Sequence, residues 1–280
     1  MLGVILEKKE IDIMRNFLFF LICFYSQTTF GQFGIISDKD GFVNVRKSPN
    51  INSKVIDNLT NGQIVYCLEA EGEWRPTDYD FIRHEKSGYV HNSRIKFIEE
   101  FDNVPYSRIT DSTVIFKKDS IKLFATKTKF NPKNNKLQYH KGDVSKNEMS
   151  YLEKINGKEI WGTDGYIPKN KYGQFTLTYG KEKTNLPIDN LFEPNLDYTK
   201  VNIDTKTNTI YISASNSDGA GGYEVLWIIV NGKLKQRILT FGFWKKQPPL
   251  SRIRTRDNQY KKREWDRFPY MEPDIWLNPY

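Results

Sequence analysis

The chain has 280 residues, of which 38% are hydrophobic and 14% aromatic. This length allows one to two domains, and the apolar content suffices for packed cores, so a globally disordered chain is excluded. The net charge of +8 can favour anionic partners. Half of that excess falls in residues 244–280, and no basic helix with interleaved aromatic residues occurs, so no nucleic-acid partner is predicted.

Residues 14–31 are typical of an export signal. Residues 1–13 are predicted to be an upstream extension, and translation is expected to start at Met14. Phe17–Tyr25 is an unbroken apolar run, about half of the ~20 residues that a transmembrane helix needs. Residues 14–31 are therefore predicted to be a cleaved signal peptide. The mature protein is expected in the periplasm or at the cell surface, with membrane contact only through this segment if it stays uncleaved.

Cysteine content excludes an intramolecular disulfide in the mature chain. Cys23 lies in the apolar run of the signal peptide, which leaves Cys67 alone. A single cysteine of this kind is usually a small buried hydrophobic residue, and we predict that role for Cys67.

Residues 34–98 consist of short apolar runs separated by turn residues. Val43 and Val45 alternate with polar residues, as expected of a half-buried strand. Asn61-Gly62 is a strong signal for a tight turn between strands. Five or six short strands in this length predict a small β-barrel, in which closure removes free sheet edges.

The order and spacing of these runs resemble those of the bacterial SH3 (SH3b) domain. The matching stretches are Gly41–Arg46 with Pro49, Ser53–Ile56, Leu59 with Gly62, Gly72–Trp74, and Gly88–Ile95. The resemblance implies a non-catalytic SH3-type barrel of a kind that often accompanies cell-wall hydrolases, where some members bind peptidoglycan peptides. Residues 75–86 depart from the pattern, because the family usually has a short hairpin there.

Aromatic side chains in this domain are candidates for a peptide groove, since flat rings offer a large contact area at small entropic cost. The predicted ligand-binding residues are Trp74, Tyr79, Phe81, Tyr89 and His91. The alternative is that Trp74 and Tyr89 fill the barrel core, which is the commoner role for such residues. Asn44 and Arg46 are interpreted as residues that fix a turn.

The chain beyond the barrel is expected to be mostly β as well. Residues 99–108 are predicted to be a linker, and residues 109–243 a second, antiparallel β-rich domain. Residues 113–128 predict a hairpin, and residues 148–155 a short helix. This region resembles only uncharacterised exported bacterial proteins, a likeness that implies no function.

The end of the second domain has the clearest pattern. Residues 209–213, 223–230 and 234–241 predict a three-stranded meander, with Asn231-Gly232 as a tight turn. The predicted fold class is therefore mainly β, with a small SH3-type barrel followed by a second antiparallel domain. Residues 244–280 form a basic aromatic tail, interpreted as a docking arm, a poorly ordered terminus or non-native sequence.

Candidate catalytic chemistry is limited to acidic residues. Asp164 and Asp218 occupy predicted turns, and their convergence would create a carboxylate pair of the glycosidase type. Turn formation is the commoner role for both. Three histidines and one mature cysteine provide no zinc-peptidase or cysteine-peptidase set. No catalytic residue, metal or cofactor is predicted.

Three functional hypotheses follow. The first is an exported, non-enzymatic protein whose barrel binds a peptide or a peptidoglycan component. The second is a cell-wall hydrolase with a divergent second domain that uses Asp164, Asp218 or Glu224. The third is an inhibitor or immunity-type protein that binds a partner protein.

Overall fold

The structure, a computed structural model, describes residues 31–81, 86–142 and 149–241. Regular structure in these residues consists of β-strands and single 3-10 turns, so the mainly β prediction is confirmed. The predicted upstream extension, the signal peptide up to residue 30 and the basic tail lie outside the described residues.

Seven antiparallel strands form the first sheet. They are β1 (Gln32–Ile36), β2 (Phe42–Arg46), β3 (Val55–Thr60), β4 (Ile64–Cys67), β5 (Trp74–Tyr79), β6 (Lys86–His91) and β7 (Ile95–Phe97). Their order across the sheet is β3-β2-β6-β5-β4-β1-β7. The sheet wraps around a core that contains the fully buried Val45, Val65 and Val90. The predicted small barrel is confirmed.

The excursion at residues 75–86 is bounded by paired strands. Strands β5 and β6 pair continuously from Trp74 opposite His91 to Tyr79 opposite Lys86. Residues 82–85, between these strands, lie outside the described residues.

Cys67 is a buried free cysteine at the end of β4, as predicted. Its Sγ lies 3.6 Å from Oγ1 of Thr77 on the neighbouring strand. Burial raises the pKa of the Cys67 thiol to about 12, so the reactive thiolate is not formed at neutral pH.

Thirteen further strands build the second unit. They are β8 (Asp102–Asn103), β9 (Tyr106–Thr110), β10 (Thr113–Lys118), β11 (Ile121–Lys129), β12 (Leu137–His140), β13 (Tyr151–Ile155), β14 (Lys158–Glu159), β15 (Asn170–Tyr179), β16 (Glu182–Asn185), β17 (Thr199–Asp204), β18 (Thr209–Asn216), β19 (Tyr223–Val230) and β20 (Lys233–Thr240). Two five-stranded sheets, β16-β15-β11-β10-β9 and β20-β19-β18-β17-β8, contribute to one large buried core, and β12-β13-β14 forms a small third sheet. The unit is a β-sandwich.

The predicted hairpin at residues 113–128 is confirmed, since β10 and β11 pair along their length. The meander is also confirmed, and β17 adds a fourth strand to it. The helix predicted at residues 148–155 is wrong, because Tyr151–Ile155 is a strand. Leu152 and Ile155 pack there with Phe130 under the small sheet, and this tertiary burial overrides the local helical preference.

Residues 99–108, interpreted above as a linker, are packed structure. Strand β8 pairs with β17, so this segment supplies an edge strand to the sandwich. The next residue, Val104, is completely buried in the sandwich core. The barrel and the sandwich are thus joined by a segment that belongs to the sandwich.

Strand β19 is buried on both of its faces, which explains its nearly continuous apolar sequence. Val225 and Trp227 point into the sandwich core. Leu226 and Ile228 point the opposite way and pack in a separate cluster with Tyr66 of the barrel. The barrel therefore rests on the outer face of this sheet, and we call this cluster the barrel–sandwich interface.

Glu224 is a mostly buried carboxyl on the interface side of β19. Glu224 is two residues before Leu226, so both side chains lie on the same face of the strand. The charge of Glu224 contributes to raising the pKa of the Tyr66 hydroxyl. Burial raises the pKa of Glu224 to about 7, although Ser215 and Lys200 oppose the shift. The native state therefore holds a proton on Glu224 that the unfolded chain releases near pH 4.5.

The Glu224→Gln variant should gain stability over the parent protein as the pH rises. Between pH 5 and pH 8 the parent must ionise a buried carboxyl, which lowers its free energy of unfolding, whereas the amide stays neutral. We expect the difference to grow by about 2 kcal/mol over this range, as measured by urea unfolding at both pH values. Glu182→Gln, at an exposed position on β16, controls for the lost charge. A difference that does not increase with pH contradicts the prediction.

Candidate functional site

Four side chains share the outer face of the barrel strands β2, β5 and β6. Trp74 pairs with His91, and Arg46 pairs with Tyr89. Directly paired residues lie on the same face of a sheet, as do residues two apart along a strand. Arg46, Trp74, Tyr89 and His91 therefore lie side by side, and we call this group the Trp74 surface.

The rings of the Trp74 surface contact one another. Trp74 and His91 meet edge to face with centroids 5.2 Å apart. The guanidinium carbon of Arg46 lies 5.8 Å from the Trp74 ring centroid, within cation–π range. Arg46 also donates a hydrogen bond of 2.7 Å to the carbonyl oxygen of Ser53, which holds its side chain in place. Trp74 is half-buried, so part of the indole faces solvent.

Two carboxylates border this surface. Glu71 and Glu73 belong to the tight turn before β5, in which Gly72 adopts a positive φ of 64°. Glu71 accepts a hydrogen bond of 3.3 Å from the hydroxyl of Tyr89. The carboxylate of Glu73 lies 3.5 Å from Nε2 of His91 and remains 84% exposed. Burial raises the pKa of Tyr89, and the charge of Glu71 adds to this shift.

The arrangement can bind an extended peptide by three kinds of contact. The indole offers a flat apolar surface, and the Arg46 guanidinium can pair with a carboxylate. Glu73 can accept a hydrogen bond from an ammonium or amide group. An aromatic anchor with a few polar groups around it is the usual composition of a small-ligand or peptide site.

Two of the predicted site residues lie elsewhere. Tyr79 belongs to the barrel core, and its hydroxyl donates to Asp57, which also binds Lys86 at 3.0 Å. Phe81 packs against the barrel–sandwich interface. Trp74, Tyr89 and His91 are thus brought together, whereas Tyr79 and Phe81 are not.

Arg46 is the residue of this surface that the sequence interpretation assigns to a turn. Its alternation with the buried Val43 and Val45 was a sufficient signal that it points outward. The turn interpretation is partly correct for Arg46, which donates to Ser53 in the loop between β2 and β3, whereas Asn44 accepts a hydrogen bond across these paired strands from Asn58.

The acidic turns of the sandwich come close together. The Asp164 carboxylate lies against the loop that follows Asp218. A Cβ atom at Gly221 of this loop would lie only 3.2 Å from Oδ1 of Asp164. Asp164 accepts a hydrogen bond of 3.3 Å from the hydroxyl of Tyr166. Asp164, Asp218 and Glu193 together raise the pKa of Tyr166. Glu224 is not part of this group, because it faces the barrel.

Among the residues that the structure describes, no group of three or more His, Cys, Asp and Glu side chains is placed to hold a metal ion. The described part of the chain also has no helix with the length and apolar content that a membrane crossing requires.

The fold is a small β-barrel attached to a β-sandwich, and the Trp74 surface lies on the outer face of the barrel. Residues 41–96 match the family model described as bacterial SH3 domain. The barrel is therefore a bacterial SH3 domain, a type of module that binds peptides or cell-wall material and is typically associated with the cell wall. Comparison with curated proteins and with solved structures found no match.

Proposed function

We propose that this protein is an exported, non-enzymatic binding protein that holds a peptide or a peptidoglycan component on the Trp74 surface. The observation that carries the proposal is the grouping of Arg46, Trp74 and His91 on the outer face of a bacterial SH3 domain. Export is supported by the signal-like segment at residues 14–31. The ligand then reaches the barrel in the periplasm or at the cell surface.

A partly exposed tryptophan in this position has a clear energetic role. Contact with a ligand removes the rest of the indole from water, and binding energy at interfaces concentrates in such aromatic anchors and in arginine. The barrel wall beneath it is rigid, because Tyr89 is 6% exposed and hydrogen-bonded to Glu71. The ligand therefore meets a surface that needs little reorganisation.

The Trp74→Ala variant should lose most of its retention on purified peptidoglycan. Loss of an aromatic anchor typically weakens binding by about tenfold or more. The experiment compares the fraction of full-length protein pulled down with insoluble peptidoglycan. Tyr106→Ala is the matched control, because Tyr106 is 61% exposed on β9 and lies outside the barrel. Equal retention of the two variants contradicts the assignment of the Trp74 surface, and no retention of the parent protein contradicts peptidoglycan as the ligand.

A cell-wall hydrolase is the second candidate, and one observation favours it. Asp164 lies against the loop that carries Asp218, so the two carboxylates belong to one region of the surface, where a glycosidase-type pair would act. This candidate predicts that purified peptidoglycan loses turbidity in the presence of the protein and that Asp164→Asn and Asp218→Asn each abolish the loss. A stable turbidity with the parent protein excludes it.

A further inference from the structure

A second exposed surface lies on the sandwich, around the small sheet and the loop at residues 164–167. Four large apolar side chains are exposed there: Met149 85%, Tyr151 40%, Tyr166 60% and Ile167 40%. Single exposed apolar residues are ordinary, but a group of them in one place marks an interaction site.

Part of this surface is a groove with a volume of about 510 Å³. We call it the Tyr151 groove, and its lining residues are Met149, Ser150, Tyr151, Asp164, Gly165 and Tyr166.

Local contacts hold the groove in shape. The backbone N–H of Leu152 donates a hydrogen bond of 2.6 Å to the carbonyl oxygen of Gly165, which ties β13 to the loop. Gly165 has a positive φ of 84°, and its backbone lies close against Tyr151. His140 stacks on the Tyr151 ring with centroids 4.8 Å apart. The hydrogen bond between the Tyr166 hydroxyl and Asp164 sets the position of the second ring.

The groove is acidic in a chain that is basic as a whole. Asp164 is the charged residue of its lining. Asp218 and Glu193 lie close enough that their charges act on the Tyr166 hydroxyl together with that of Asp164. The net charge of the sequence is +8, whereas these three neighbouring side chains are all acidic.

We propose that the Tyr151 groove binds an organic ammonium group, such as the side chain of a lysine in a peptide. The cation lies over the exposed Tyr166 ring and donates to the Asp164 carboxylate. An aromatic face next to a carboxylate is complementary to a cation, whereas it repels an anionic ligand. This site is separate from the Trp74 surface and extends the proposed function to a second ligand group.

The test is isothermal titration calorimetry of the full chain with a blocked tri-lysine peptide. We expect tri-lysine to bind, with an affinity that falls as salt increases, and a blocked tri-glutamate peptide not to bind. Asp164→Asn keeps the size of the side chain and should weaken binding by about threefold to fivefold. Tyr166→Leu removes the ring and should weaken it by a similar factor.

The controls separate this site from other sources of binding. Asp119→Asn removes the same charge from the exposed turn between β10 and β11 and should leave the affinity unchanged. Trp74→Ala should also leave it unchanged, so failure of this proposal and failure of the Trp74 surface are distinguishable. The proposal is overturned if tri-lysine does not bind, if Asp164→Asn and Asp119→Asn have equal effects, or if neutral chitotriose displaces tri-lysine.

Discussion

Replacement of Trp227 by alanine is expected to lower the free energy of unfolding by about 4 kcal/mol, because deletion of a large aromatic side chain from a core leaves a cavity. Trp227 is completely buried between the two sheets of the sandwich. Its ring lies 4.5 Å from that of Phe175 on the opposite sheet. The measurement is urea unfolding followed by far-UV circular dichroism.

Loss of packing, rather than loss of a hydrogen bond, accounts for this effect. The Nε1 of Trp227 donates to the carbonyl oxygen of Pro187 at 3.1 Å, but Arg237 donates to the same oxygen at 3.0 Å. The carbonyl thus keeps a partner in the variant. Trp227→Phe retains a ring next to Phe175 and should cost less than half as much. A loss below about 1 kcal/mol for Trp227→Ala would mean that the sandwich core collapses around the cavity.

Replacement of Leu226 by alanine should cost about 3 kcal/mol and act on the attachment of the barrel. Leu226 is fully buried in the barrel–sandwich interface, where it packs with Phe33 and Tyr66. Hydrogen exchange should show weaker protection of β1 and β4, the barrel strands that carry these rings. The cost is measured by the same urea unfolding as for Trp227.

Leu123→Ala is the matched control for this variant. Leu123 is also a fully buried leucine, but it belongs to the sandwich core. Its replacement should destabilise the sandwich to a similar extent. The hydrogen-exchange protection of β1, compared with that of β19, should stay as in the parent protein. A cost below about 1 kcal/mol for Leu226→Ala would contradict a shared core between barrel and sandwich.

The interface has a consequence for the binding surface. Strand β4 packs on the sandwich through Tyr66, whereas the Trp74 surface lies on β2, β5 and β6. The attached sandwich therefore covers one side of the barrel and leaves the Trp74 surface on another. This division fits a binding protein in which the sandwich positions the bacterial SH3 domain.

The alternation of side chains along the strands explains which of the predicted site residues lie together. Tyr89 and His91 are two residues apart and share a face, as any strand requires. Trp74 and Tyr79 are five residues apart on β5, so they point to opposite faces, and Tyr79 enters the core. Aromatic residue type alone does not tell which face of a strand a side chain occupies. The alternation rule does, and it needs only the sequence and a correct strand boundary.

The errors outside the barrel have a different origin. Tyr151–Ile155 became a strand because Leu152 and Ile155 are buried with Phe130, which is distant in sequence. The segment at residues 99–108 is an edge of the sandwich because its strand β8 pairs with β17, which lies about one hundred residues further along the chain. Local propensity contains no information on partners of this kind.

The sequence by itself determined the two-part β architecture, the barrel motif and the burial of Cys67, because alternation and turn residues are local properties of the chain. The strand at residues 223–230 and the tight turn after it belong to the same class of local features. Only the tertiary structure decided that Leu226 faces the barrel and Trp227 the sandwich, and that Asp164 meets the Asp218 loop. These choices depend on contacts between residues far apart in the chain, whose free energy is realised only when the whole fold assembles.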